Sequence, residues 1–149
     1  DGPSKGTYDA TPVFVNEQND VAVLKAAGIK SKDWLSVSLD KKTVPTEEVV
    51  AIGNPSLGGK GFAKNAITKG NISTSETSKY GSERLVANIT ISSGSSGSPL
   101  ISLKTGKIVG VVTAVLGPKL DKNKGFASSG FLCLAAPSTK LSEWLGLSE

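Results

Sequence analysis

Short β-rich apolar runs, each closed by Gly, Ser, Asn or Lys clusters, recur along the whole chain and constrain its fold more than any other feature. Residues 11–15 and 21–24 flank the turn-prone Asn16-Glu17-Gln18-Asn19. Residues 49–52 stop at Gly53-Asn54-Pro55, a turn signal. Residues 62–72 alternate loosely, and 85–91, 99–103, 107–115 and 130–136 read as strands, with Thr105-Gly106 as a turn between two of them. Regularly spaced short strands with Gly-rich turns predict a sandwich or barrel, not βαβ units. The fold class expected is all-β.

Composition removes other readings. The chain has 149 residues, the size of one domain. Hydrophobic residues are 38% and 17 glycines add to them, which argues against disorder. No apolar run approaches the ~20 residues needed to cross a bilayer. One cysteine forms no internal disulfide, and with no histidine the Cys/His set is too small for zinc, so no metal or cofactor is expected. The lack of Met and the polar start Asp1-Gly2-Pro3-Ser4-Lys5 give the expectation of a chain taken from a longer product, with a leader or a larger N-terminal piece removed.

Two helical segments are candidates. Ser138 is placed to cap a helix carrying Leu141, Trp144 and Leu145 at i, i+3 and i+4, with Gly146 as its stop. Residues 31–39 are ambiguous, since Ser36-Val37-Ser38-Leu39 also alternates like a strand. Residues 73–82 and 116–129 read as loops, the first polar, the second charged and holding Gly117-Pro118.

The strongest chemical signal is Gly94-Ser95-Ser96-Gly97-Ser98-Pro99, after the strand at 85–91. A serine nucleophile needs a tight bend that presents its hydroxyl, with small neighbours that let a carbonyl approach. The amides of Gly94 and Ser96 could then face one point and bind an oxyanion, a donor typically worth about 2.7–4 kcal/mol. A Gly/Ser-rich hairpin turn explains the same hexapeptide without chemistry.

This hexapeptide resembles the Gly-x-Ser-Gly-x-Pro nucleophile motif of trypsin-like (chymotrypsin-fold) serine peptidases, with Ser98 where glycine is commoner. The likeness is closest to the HtrA/Deg branch. Asn19-Asp20-Val21-Ala22-Val23-Leu24-Lys25 resembles the segment around the triad aspartate, and Val49-Val50-Ala51-Ile52-Gly53-Asn54-Pro55 the first strand of the second barrel. Ile67-Thr68-Lys69-Gly70-Asn71-Ile72-Ser73 resembles its next strand. The run from Thr105 to Ala114 is similar to the strand pair after the nucleophile, and Ala135-Ala136-Pro137-Ser138 to the start of the C-terminal helix.

The resemblance implies an all-β chain: a second six-stranded antiparallel barrel over 47–137, remnant strands of a first barrel over 1–30, a linker at 31–46 and a C-terminal helix and tail at 138–149. It implies Ser96 as nucleophile, Asp20 as the carboxylate orienting the base, and the Gly94 and Ser96 amides as oxyanion hole. Thr90 falls near the floor of the specificity pocket, with Thr113, Ala114 and Val115 along one wall and Gly130 opposite. Without a carboxylate at the floor, small or medium apolar side chains are expected there. Residues 113–115 would also pair with a polypeptide substrate as an added strand. Remnant strands leave apolar edges that another copy or a separate N-terminal segment would cover. Extracytoplasmic location is implied by the family alone.

The departure is the missing histidine. In the family it lies in the first barrel, upstream of the aspartate, and only residues 1–19 precede Asp20. Two explanations stay open: a longer peptidase trimmed of its early strands, or a pseudo-peptidase that binds peptides without cutting them. A lysine base is a third route, with no lysine singled out. Cys133 lies in an apolar run and reads as an inert buried thiol. Asn71 and Asn88 fit glycosylation sequons by chance. Gly58-Gly59-Lys60-Gly61 lacks P-loop spacing, and Lys119, Lys122 and Lys124 lack the aromatic partners of a nucleic-acid site.

Overall fold

The structure, a computed structural model, describes residues 7–29, 34–39, 42–56, 60–77, 81–116 and 132–146. Strands β1 (Ala10–Asn16) and β2 (Val21–Ala26) form an antiparallel hairpin. Six further strands follow: β3 (Glu48–Gly53), β4 (Ala66–Thr77), β5 (Glu83–Asn88), β6 (Pro99–Ser102), β7 (Ile108–Leu116) and β8 (Leu132–Pro137). They close into a barrel in the order β3-β4-β5-β8-β7-β6, every pairing antiparallel. Each barrel strand is thereby paired on both sides over part of its length. The all-β reading with a six-stranded barrel is therefore correct.

Alternation decides which face is buried. Val49 and Ala51 of β3, Ile72 of β4, Leu85 and Ala87 of β5, Leu100 of β6, Val109 and Val112 of β7, and Cys133 and Ala135 of β8 meet in one core. Ile89 and Ile91, just beyond β5, extend it. Gly70 lets β4 approach β5: a Cβ there would collide with the Asn88 carbonyl and Ile89.

Two local expectations need correction. Residues 73–77 are not loop but the end of β4, because β5 lies alongside and pairs Thr74 with Val86, Ser75 with Leu85 and Thr77 with Glu83. A bulge between Ile72 and Thr74 shifts the register there, which hides the period in the sequence. Ser138 is not a side-chain cap. The helix α1 (Lys140–Trp144) has Thr139 at its N-cap with no side-chain bond, and the buried Ser138 hydroxyl donates to the Ser38 carbonyl at 2.5 Å. In the ambiguous segment, Val37 makes a single parallel bridge to Ile108. Gly146 does stop the helix, at φ +64°. Residues 117–131 lie outside the described residues, so the loop expected there and the first two residues of the run at 130–136 are not placed.

The hairpin stands apart from the barrel ladders. Val13, Val15 and Leu24 are each 58% exposed. Phe14 stacks on Trp144 of α1, with ring centroids 5.9 Å apart and planes 13° from parallel. That contact ties the hairpin to the C-terminal helix.

Candidate active site

The serine bend sits between β5 and β6 and is built from two consecutive turns. Ser95 N donates to Ser92 O at 3.0 Å, and Ser98 N donates to Ser95 O at 3.0 Å. Gly94 (φ +90°) and Gly97 (φ +84°) occupy the left-handed region that such turns demand. The turns sort the three serines. Ser95 and Ser98 are buried, while Ser96 is exposed at the tip. Ser98, which stands where glycine is commoner, turns inward against Gly53, where a Cβ would collide with its hydroxyl.

Both flanks of the bend are anchored. On the trailing side Gly97 N donates to Val112 O at 2.7 Å and Val112 N to Ser98 O at 2.9 Å. On the leading side Ser56 N donates to Ser93 O at 2.7 Å. Among the described residues, the backbone amides of Gly94 and Ser96 donate to no protein acceptor. Those are the two amides that the sequence marks as an oxyanion hole.

The Ser96 hydroxyl donates to the Thr113 carbonyl at 3.4 Å. Thr113 lies at a bulge in β7, between Val112 and Ala114 in the pairing with β8. The bulge turns two successive carbonyls, Val112 and Thr113, toward the bend. Thr113 is itself buried; its hydroxyl donates to Leu134 O at 3.3 Å and accepts from Arg84 Nη1 at 3.4 Å. The pairing of β7 with β6 ends at Val111 opposite Pro99. Beyond the Val112 bonds to the bend, the same edge of β7, carrying the half-buried Ala114 and Val115, has no strand partner among the described residues. Sequence reasoning missed Arg84, because no local motif links it to Thr113.

Other expected residues are placed differently. Thr90 is exposed between the buried Ile89 and Ile91, so its side chain stands outside the barrel core. Gly130 lies outside the described residues. Asp20 is exposed at the hairpin turn, with φ +55° and its amide donating to Glu17 O at 3.3 Å. Asn19 N and Nδ2 donate to Asn16 Oδ1 at 3.0 and 3.2 Å and brace that turn. Two residues before Asp20, the Gln18 amide lies 3.7 Å from a Cβ built on Gly81, which brings the turn to the start of β5.

Two of the described lysines are held in ion pairs. Lys69 pairs with Glu48 at 2.6 Å, and Lys140 with Glu83 at 3.1 Å and Glu143 at 2.7 Å. The hydrogen bonds to Glu143 and Glu83 raise the Lys140 pKa, which holds it as a cation. Burial pushes the Cys133 thiol up to about 11, so it is no nucleophile near neutrality. One cavity is lined by residues such as Thr77, Glu83, Arg84 and Pro137, and another by residues such as Glu48 and Leu103. Among the described residues no helix is long and apolar enough to cross a membrane.

A family model for the trypsin-like peptidase domain matches residues 1–111, which include the hairpin and the serine bend. The chain belongs to the trypsin-like peptidase family. It is 37% identical over 120 residues to the serine protease HTRA1 of Xenopus laevis, covering 72% of this chain and 24% of that protein. It is 32% identical over 112 residues to a probable periplasmic serine endoprotease, DegP-like, of Rhizobium meliloti, covering 74% of this chain and 21% of that protein. This trypsin-like chain thus spans about a quarter of the length of such relatives. In fold it matches a crystal structure of Rv3671c from M. tuberculosis, an inactive mutant form, with TM-score 0.63 and 21% identity over 97% of this chain and 66% of that one. The HtrA-like reading of the sequence is therefore correct.

Proposed function

We propose that the parent protein is a serine endopeptidase that works through an acyl-enzyme. Ser96 attacks the scissile carbonyl, the Gly94 and Ser96 amides receive the oxyanion, and Asp20 orients an imidazole supplied from outside these residues. The observation that carries this reading is the sorting of the bend: Ser96 exposed between buried Ser95 and Ser98, beside two amides with no protein acceptor among the described residues. The unpaired edge of β7 at Thr113, Ala114 and Val115 takes the substrate backbone as an added strand. Thr90 borders the pocket for the residue before the cut. The segment 1–30 is the remnant of a first barrel, 31–46 a linker, 47–137 the second barrel and 138–149 helix and tail. The apolar hairpin residues Val13, Val15 and Leu24 are where an N-terminal segment or a second copy packs.

On this reading the 149 residues alone turn over peptides little better than the 10³–10⁴-fold residual left when a triad member is lost. A second reading is a peptide-binding pseudo-peptidase, favoured by the Ser96 hydroxyl being held on a carbonyl and not on a base. A fluorophosphonate probe separates them. A chain extended upstream through a histidine-bearing first barrel labels at Ser96, and its Ser96→Ala variant does not. A folded extended chain that stays unlabelled supports the binder.

A further inference from the structure

Phe62 is 64% exposed, yet its ring is held against the serine bend: its Cε1 and Cδ1 lie 3.2 and 3.3 Å from a Cβ built on Gly94. The described residues on either side of it are held by hydrogen bonds. Ala63 N donates to Pro55 O at 2.9 Å, Asn65 N to Asn54 Oδ1 at 2.9 Å, and Phe62 bridges Ser56, whose amide donates to Ser93 O. The ring is no part of the barrel core. A single exposed apolar side chain is ordinary on a protein surface; what sets Phe62 apart is its place, against the bend and beside the candidate nucleophile.

Its side of the bend gives the substrate position. The trailing half of the bend is bonded to β7 at Val112, and the leading half meets the Phe62 loop at Ser93 and Gly94, so Ser96 lies between β7 and Phe62 along the chain. Every barrel pairing is antiparallel. A substrate strand added antiparallel to β7 runs from the Leu116 end toward Thr113, reaches Ser96, and continues over Gly94 to Phe62.

We propose that Phe62 is a specificity-determining residue for the leaving-group side: its exposed ring receives an apolar side chain directly after the scissile bond. The substrate class is then polypeptides with Leu, Phe or a similar side chain at that position. Gly94 leaves room for this, because a Cβ there would lie 2.6 Å from the Asn54 carbonyl and crowd the ring at 3.2 Å. The inference rests on the proposed strand addition at β7.

The test uses this 149-residue chain and blocked, fluorophore-labelled short peptides in which a single Leu or Gly is moved along an otherwise constant sequence. Binding is read by fluorescence anisotropy, and the Gly94 amide shift in NMR reports which peptides lie over the bend. At one position Leu binds about three- to tenfold tighter than Gly, the size of one apolar-aromatic contact. Phe62→Ala abolishes that ratio and leaves the Gly peptide unchanged, while Phe62→Leu keeps most of it. A ratio that survives Phe62→Ala overturns the inference. So does an equal weakening of both peptides, which would make the ring a prop for Gly94. If no peptide binds at all, strand addition at β7 fails and this inference with it; binding without discrimination removes this inference only.

Discussion

The Ser96 hydroxyl donates to the Thr113 carbonyl across 3.4 Å, joining the tip of the bend to the unpaired edge of β7. The proton of the candidate nucleophile thus rests on an acceptor that cannot take it. A base has to replace that carbonyl before attack becomes possible. The bond is long and the side chain exposed, so little folding free energy depends on it.

Ser96→Ala should leave stability within about 0.5 kcal/mol of the parent chain, the range of surface substitutions. Thermal unfolding followed by circular dichroism checks this. In a chain that supplies the base, the same variant should lose all fluorophosphonate labelling. A large loss of stability would show that the bend is a structural element only.

The two glycines of the bend should differ on substitution. A Cβ at Gly94 would lie 2.6 Å from the Asn54 carbonyl, in addition to the strain of φ +90°. At Gly97 only the strain at φ +84° applies, since nothing lies within 4 Å. Gly97→Ala should cost about 1–2 kcal/mol. Gly94→Ala should cost clearly more and shift the Phe62 resonances in NMR. Equal costs in urea titrations would contradict the close approach.

Ser102 is fully buried and its hydroxyl donates to Glu47 Oε1 at 2.5 Å, joining β6 to the residue before β3. Ser102→Ala should destabilise the chain by roughly 2 kcal/mol, as for a lost hydrogen bond to a charged group. The melting temperature reads the effect. An unchanged value would mean that Glu47 is satisfied by solvent.

Cys133 sets a pH dependence. Its thiol is raised from 9.0 to about 11 in the fold, so between those values the unfolded chain releases a proton that the native chain keeps. Its contribution is intact below pH 9 and falls as pH rises, by about 2 kcal/mol at pH 11. The Cys133→Ala chain should lack this part of the decline, and native Cys133 should resist thiol reagents at pH 8. Denaturant titrations at pH 8, 9.5 and 11 for both chains test the sign.

Trp144→Ala should loosen the hairpin while leaving the barrel closed, because it removes the stack of Phe14 on the C-terminal helix. Hydrogen exchange should quicken at β1 and β2, with β5 and β8 amides unchanged. Uniform acceleration would place the helix within the cooperative unit of the barrel.

The amino-acid order by itself determined the strands and the bend. Alternating β-branched residues state which face of a strand is buried, and glycines at 94 and 97 state where the backbone turns left-handed. That much is local, and it also marked Ser96 through its motif. Only the tertiary structure decided what lies across each strand. It extended β4 through residues 73–77 against β5, turned Ser138 toward Ser38, aimed the Thr113 carbonyl at Ser96 through a bulge, brought Arg84 to the Thr113 hydroxyl, and set Phe62 on Gly94. Each is a contact between distant segments, and barrel closure fixes such partners by register, which no short stretch of sequence carries.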